Sequence, residues 1–299
     1  MTIVARNYHE VDDLDRVRNL LIVTQQLNWT RHNWSLHQWE SWRYLRDDLD
    51  SFPTEQIRLW ETDSGELVAV AHSHDPGEIV IQIHPDYREI EPEVLAWAQA
   101  ELATRAPIGN RVLQTWVYDY DDYRQMLLAQ QRFRRQRRHR NHRWRSLRAP
   151  VEAPYIPEGY ALREVRQTEA EDALIAELLS YCQEAPPSAA ALANFRVSPN
   201  YQSHLHLVIE DEGGEVVSHC SALMNATSHD AQITPACTHP EHRLQGLATA
   251  LLFELLRRLR TAGVQRAYVI SGDGHQINNM YEKVGFRDFH REYLWYKEF

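Results

Sequence analysis

Cysteines are few, apolar runs are short and basic charge is in deficit in this chain, and each shortage excludes something. The three cysteines, Cys182, Cys220 and Cys237, are scattered without metal-ligand spacing. Neither a disulfide frame nor a zinc site is expected, and no other metal cluster is suggested. No apolar stretch approaches the ~20 residues that span a bilayer, and Met1 to Asn7 lacks the apolar core of a signal peptide. A cytoplasmic location is therefore the default expectation, with no membrane partner. Lys and Arg number 32 against 42 Asp and Glu, and a net charge of -10 argues against general nucleic-acid binding. What is present is the composition of a soluble globular protein, 43% hydrophobic and 25% charged. At 299 residues the chain is long enough for two ordinary domains.

Periodicity and turn residues predict an order of elements that runs twice. The first pass is a strand over 3–7, helices over 12–26 and 35–49, and strands over 57–61, 67–73 and 79–83. A helix over 92–104, a strand over 112–118, a helix over 121–131 and a basic strand over 133–147 complete it. Residues 149–158 contain Pro150, Pro154 and Pro157, which break regular structure and mark a linker. The second pass has a strand over 160–165, helices over 169–183 and 188–195, and strands over 206–210, 216–224 and 233–238. It closes with a long helix, a strand over 266–270, a helix over 276–284 and a strand within 289–296. The passes also match residue by residue. His84-Pro85-Asp86-Tyr87-Arg88 mirrors His239-Pro240-Glu241-His242-Arg243, and Phe133-Arg134 mirrors Phe286-Arg287. The chain reads as a tandem duplication, residues 1–148 and 159–299 around the linker.

One turn carries the chemistry. After the strand ending at Thr238 comes Arg243-Leu244-Gln245-Gly246-Leu247-Ala248-Thr249, then a helix with apolar positions Leu251, Leu252, Leu255, Leu256 and Leu259. Gly246 and Ala248 have almost no side chain, so a bulky ligand can reach the backbone. The amides there open a helix N-terminus, where the macrodipole favours an anion. No carboxylate stands between Arg243 and Thr249. The turn is a pyrophosphate cradle. Its twin reads Arg88-Glu89-Ile90-Glu91-Pro92-Glu93. Three carboxylates would repel a diphosphate and Pro92 removes an amide, so the first copy is expected to bind none.

Arg243-x-x-Gly246-x-Ala248 between strand and helix resembles the [Q/R]-x-x-G-x-[G/A] loop of the GNAT N-acetyltransferases. Tyr281-Glu282-Lys283-Val284-Gly285-Phe286 is similar to the Y-[ED]-[KR]-x-G-F segment near their C-termini. A departure is Gly274, where the family often has an asparagine; Asn278 lies nearby. The resemblance implies an α/β (α+β) fold of two tandem GNAT-like domains, each a mixed, mostly antiparallel sheet flanked by helices. It implies acetyl-CoA as cosubstrate, gripped at Arg243 to Thr249 with Asn278 as a further contact. The pantetheine arm would pair with Ala236, Cys237 and Thr238. Tyr281 would protonate the departing thiolate as a general acid. The acceptor would be a small-molecule amine or a protein N-terminus, acylated by direct attack at one site in the C-terminal domain.

A general base is harder to name. The strand Gln232 to Ala236 has no carboxylate, and His219, His229, Asp230 and His275 are the nearby candidates, none selected by spacing. Plainer roles compete: Arg243 as a surface arginine, Tyr281 as a core tyrosine, Asn278 as a solvated helix residue and Cys237 as a small strand residue. Trp29, Trp34, Trp39 and Trp42 read as packing or as an aromatic substrate pocket. The arginine run from Arg132 to Arg145 reads as a salt-bridged strand, with a nucleic-acid patch as the rival. The missing carboxylate also motivates an alternative function, a non-catalytic acyl-CoA-binding sensor.

Overall fold

The structure is a computed structural model that describes residues 2–27, 32–105, 109–234 and 236–299. In chain order its elements are β1 (Ile3–Asn7), α1 (Glu10–Leu27), α2 (Leu36–Tyr44), β2 (Ile57–Thr62), β3 (Leu67–Ser73), β4 (Ile79–Ile83), α3 (Glu91–Glu101), β5 (Thr104–Arg105), β6 (Arg111–Tyr118), α4 (Asp122–Gln130) and β7 (Arg134–Ser146). The second pass comprises β8 (Tyr160–Glu164), α5 (Glu169–Ser180), α6 (Ala189–Phe195), β9 (Tyr201–Asp211), β10 (Val216–Asn225), β11 (Asp230–Ile233), β12 (Cys237–Thr238), α7 (Leu247–Thr261), β13 (Arg266–Ser271), α8 (His275–Lys283) and β14 (Asp288–Glu298).

The chain forms two compact units whose limits differ from the sequence halves. One holds Met1–Trp39, Phe52–Arg140 and His290–Phe299, the other Glu40–Ser51 and Asn141–Phe289. The reason lies in strand pairing. In the first unit β14 runs antiparallel to β6, with Glu292 opposite Tyr118 and Glu298 opposite Val112. In the second, residues Asn141 to Ser146 of β7 run antiparallel to β13. The last strand of each sequence half thus completes the other unit's sheet.

The first unit has an antiparallel sheet ordered β1-β2-β3-β4, with a core that includes Trp60, Ile81, Val94, Leu113 and Trp295. The second unit has β8, β9, β10 and β11 paired antiparallel, with β11 parallel to β13. Helix α7 covers one face of that sheet. Leu247, Leu251, Leu252, Leu255, Leu256 and Leu259 recur at helical spacing and are all at most 1% exposed. Each contributes about 1.5–3 kcal/mol of burial, while Glu254, Arg257 and Arg260 stay off that stripe. Helices α5 and α6 cover the opposite face through Ile175, Leu178, Leu179 and Leu192 against Val208 and Cys237. Thr168 and Ser188 cap these two helices by accepting from Glu171 N and Ala191 N, as N-cap hydroxyls do.

One reading of side-chain roles is corrected. Among the described residues few arginines of β7 are salt-bridged: Arg140 pairs with Glu292 and Arg143 with Glu282, whereas Arg135 lies over Tyr293 and Arg138 over Trp116. Stacking on aromatic faces takes the place of ion pairing. Trp39 and Trp42 are buried packing residues, at 0% and 8% exposure, and Trp34 packs edge-on against His72 and His74. Trp29 lies outside the described residues.

Candidate functional site

The strand expected over 233–238 is broken, and the break makes the site. β10 pairs β11 with Ala222 opposite Ile233, and pairs β12 with His219 opposite Cys237. One residue is extra on the β11–β12 side between Ile233 and Cys237, an irregularity of the bulge kind. Thr234 anchors its start by donating N–H to Ser221 O at 2.9 Å, and Ser218 Oγ anchors its end by donating to Cys237 O at 2.9 Å. On the other edge, the parallel pairing of β11 with β13 stops at Gln232 and Tyr268. From Val269 to Ser271, β13 continues on β7. The strands fork, and Ala236, Cys237 and Thr238 line one arm of the fork. A fork of this kind leaves backbone donors and acceptors for an extended ligand arm to pair with.

The turn that follows is shaped for an anion. Gly246 caps α7 in the left-handed region at φ 89°. A Cβ there would meet nothing within 4 Å, so backbone conformation, not crowding, selects glycine. Leu244 also has positive φ, 64°, and its side chain is 97% exposed. A leucine held left-handed and fully solvated is costly on both counts. It is tolerated where successive amides must converge on a negatively charged group. Gln245 is exposed, Leu247 buried, and Ala248 and Thr249 half-buried at the helix mouth.

Arg243 is exposed but folds back onto the chain. Its Nε donates to Thr238 O and an Nη to Tyr181 O, both at 3.1 Å, so it fastens the turn to the end of β12. Tyr160 Oη fastens the turn's other side, at 2.9 Å from both His242 Nδ1 and Gln245 Oε1.

Tyr281 on α8 is 2% exposed and packs in the α7-side core, edge-on to Phe286. Burial pushes its phenol well above the usual range, partly offset by a hydrogen bond with the Ala236 backbone. The one catalytic candidate therefore reaches the strand segment expected to hold the pantetheine, and it is protonated at any ordinary pH. Asn278 is different. Its Oδ1 accepts from Arg143 and Ser271, and its Nδ2 donates to Gly272 O and Gly274 O. Those four bonds use the amide's full capacity, so Asn278 clamps the 271–274 loop and has no bond left for a cofactor.

The candidate bases separate in space. Asp230 begins β11, with His229 in the turn just before it, at the end away from the break, and Asp230 accepts from Ser228 Oγ. His275 opens α8 as an exposed residue beside Asn279. His219 alone stands opposite Cys237 in the ladder. It is fully buried, its basicity lowered by burial to about 4, and its Nε2 lies 2.7 Å from His206 Nε2.

Cys182 and Cys237 are disulfide-bonded, correcting the expectation that no disulfide forms. The 55-residue separation gave no spacing signal; the pairing arises because α5 runs back across β12. Cys220 remains a buried thiol whose ionisation burial opposes. The His206–His219 pair was also missed. Its signal was the Asp211-Glu212-Gly213-Gly214 hairpin, whose register sets both imidazoles on one face.

The first-unit counterpart corrects the expected three-carboxylate repulsion. Glu91 is 1% exposed, bonded by Arg88 Nε at 2.6 Å and by Arg124 Nε. Glu93 accepts from Trp60 Nε1 at 2.9 Å. Glu91 occupies the start of α3 as the turn's own internal anion.

Residues 173–286 match the family model described as the acetyltransferase (GNAT) family. A curated relative, the beta-lysine N(6)-acetyltransferase of Methanosarcina mazei, is 29% identical over 136 residues, 44% of this chain and 48% of the relative. The chain thus matches about half the length of that protein. Two solved structures resemble the chain over 99% of its length. A GCN5-related N-acetyltransferase from Sphaerobacter thermophilus is covered over 95%, with a TM-score of 0.67 and 18% identity. A tandem GNAT protein from the clavulanic acid biosynthesis pathway is covered over 98%, with a TM-score of 0.67 and 16% identity. At those identities the likeness is one of fold. It is the fold of tandem GNAT proteins.

Proposed function

From a C-terminal half that carries the GNAT acetyltransferase family's pattern, we propose that this chain transfers an acetyl group from acetyl-CoA to an amine, at one site in the second unit. The diphosphate sits against the amides of Gly246, Leu247, Ala248 and Thr249, where a helix N-terminus leaves donors without intrahelical partners. Leu244 and Gln245 shape the turn, and Arg243 holds it. The pantetheine arm lies in the fork along Ala236, Cys237 and Thr238. The amine attacks the thioester carbon, the electron pair moves to oxygen, and the intermediate expels the thiolate. Tyr281 donates its proton to that sulfur, and the amine's proton leaves to solvent. The acceptor is an amine; the relative's name makes a side-chain amine of a β-amino acid the first compound to try.

The observation that carries this reading is the pairing of a left-handed Gly246 at the mouth of α7 with a strand that forks beside Tyr281. Thiol release from acetyl-CoA, measured against a panel of amines, tests it. Turnover above the hydrolysis rate with at least one amine is expected. Tight acetyl-CoA binding with no turnover on any amine overturns it in favour of an acyl-CoA sensor, the reading that the carboxylate-free strand favours.

A further inference from the structure

The turn between β3 and β4, His74-Asp75-Pro76-Gly77-Glu78, gathers three metal-ligating side chains in the first unit, none with a part in the acetyl transfer. His74 Nδ1 stands 3.3 Å from Asp75 Oδ2 and 3.4 Å from Glu78 Oε1. The three donor atoms all lie within 4.8 Å of one another. Nδ1 is buried, yet it meets hydrogen-bond geometry with no described atom. A charged nitrogen bonded to a carboxylate closes to about 2.7–2.9 Å. Here the nitrogen faces two carboxylates from further off and bonds to neither, which a simple ion pair does not explain.

Coordination geometry does explain it. Zinc takes imidazole nitrogen at about 2.0–2.1 Å and carboxylate oxygen at about 2.0–2.2 Å. At tetrahedral angles those bond lengths hold neighbouring donors about 3.3–3.5 Å apart, and both separations from His74 fall in that range. Charge agrees with distance. A neutral imidazole and two carboxylates carry two negative charges, which a divalent cation cancels. The imidazole also selects among cations, because magnesium and calcium take oxygen ligands whereas nitrogen suits zinc and its transition-metal neighbours.

The donors are held in place by the fold. Glu78 is 8% exposed, and its other oxygen, Oε2, accepts from Gln114 Nε2 and Trp116 Nε1, both at 3.2 Å. Those two bonds turn Oε1 towards His74, as neighbouring donors orient a ligating carboxylate. Arg140, stacked over Trp116, has its charge answered by Glu292. The Trp34 ring packs edge-on against His74 at 5.0 Å and restricts its rotation. In the backbone, His74 N–H donates to Glu78 O at 2.9 Å, Glu78 N–H to Asp75 O at 2.8 Å, and Gln114 N–H to Gly77 O at 2.7 Å. Gly77 has φ 77°, and a Cβ there would meet Thr104 Oγ1 at 2.7 Å, so only glycine lets the turn seat against β5. Asp75 is the open side, its side chain 69% exposed. On a straight strand His74 and Asp75 would point to opposite faces; the turn is what makes them converge.

We propose that His74, Asp75 and Glu78 bind one divalent transition-metal cation of the zinc type, with water as the fourth ligand, so that the ion ties the end of β3 to the start of β4.

The test uses the full chain, stripped with a chelator and titrated with Zn2+ alone by calorimetry. The chain has 16 histidines, so the readout is the difference between proteins. Asp75→Asn changes an exposed side chain without threatening the fold, and is expected to weaken the tightest equivalent at least about tenfold. His74→Gln is expected to abolish it, and Trp116→Phe, which frees the Glu78 carboxylate, to weaken it about 10–100-fold. Zn2+ should raise the melting temperature of the unmodified protein and leave that of His74→Gln unchanged. Co2+ in place of Zn2+ should give the visible absorption of a four-coordinate ion, absent in His74→Gln. Zinc isotherms that are the same in folded Asp75→Asn and His74→Gln as in the unmodified protein overturn the proposal, as does displacement of the tight equivalent by an equal concentration of Mg2+. All of these readings are taken without acetyl-CoA or amine, so they stand apart from the outcome for acetyl transfer.

Discussion

Replacing Gly246 by glutamate copies the first unit's turn into the second, and the two costs it imposes are separable. Gly246 is left-handed at φ 89° with open space around its Cα, so any side chain fits but the backbone resists. Left-handed conformation costs a non-glycine residue about 1–2 kcal/mol, which lowers the melting temperature by roughly 2–8 °C for a unit of this size. Gly246→Ala isolates that term. The carboxylate adds repulsion against a ligand group of about two negative charges. At ~4 Å each unit pair costs about 1 kcal/mol even in a water-like dielectric, so at least about 2 kcal/mol, or roughly 30-fold in acetyl-CoA affinity, is expected. Titration calorimetry on both variants at low and high salt measures it. Alanine and glutamate should melt alike, only glutamate should lose affinity, and salt should restore part of the loss. Equal affinities for the two variants would mean that no diphosphate sits at this turn.

Tyr281→Phe removes a donor that burial keeps protonated; kcat is expected to fall about 10²-fold with acetyl-CoA affinity unchanged, and unchanged steady-state turnover would return Tyr281 to the core-residue role. Reduction of Cys182–Cys237 opens a 55-residue loop, worth up to about 4 kcal/mol by chain entropy. Urea unfolding with and without reductant should show a drop approaching that size, and free-thiol mass labelling should report one thiol without reductant and three with it. Glu91→Gln leaves Arg124, 6% exposed, without its closest carboxylate and should cost about 3 kcal/mol or more in chemical denaturation; a loss under 1 kcal/mol would contradict the internal-anion account. Acid should destabilise the fold early. His219 and His72 are lowered to about 4 and about 3 by burial, whereas an unfolded histidine titrates near ~6.5. The unfolded chain binds more protons below that value, so their contribution is complete above pH ~6.5 and lost as pH falls towards 4. A decline of at least about 2 kcal/mol between pH 7 and 4.5 is expected, and a flat profile there would contradict the buried neutral histidines.

How much of this was legible in the sequence depends on whether the determinant was local. The α7 stripe, the turn at Gly246 and the Tyr281 segment are local patterns, each set within about one helix length of chain, and the structure places Tyr281 in contact with the Ala236 backbone. Helix and strand order were legible for the same reason. What could not be read depended on distant pairing. The break between β11, which ends at Ile233, and β12, which begins at Cys237, is invisible until β10 and β13 are in register on either side. The disulfide, the saturation of Asn278 by Arg143 from β7, and the exchange of last strands all join positions far apart in the chain. None leaves a periodic trace.

The two copies of one turn show how small a change redirects it. Both follow a His-Pro and an arginine, and both open a helix against a buried sheet. At that opening a positive end of a helix dipole faces outward in each, and each needs a negative partner. In the first unit Glu91 supplies it from within the chain, bonded to Arg88 and Arg124 and sealed to 1% exposure. In the second, the matched position is Gly246, exposed and left-handed, beside an arginine that points back to hold Thr238 and Tyr181. The need is the same, and only the second leaves it to be met from solution. That asymmetry, more than the number of carboxylates, is the physical ground on which the proposed acetyl-CoA site is placed in the second unit.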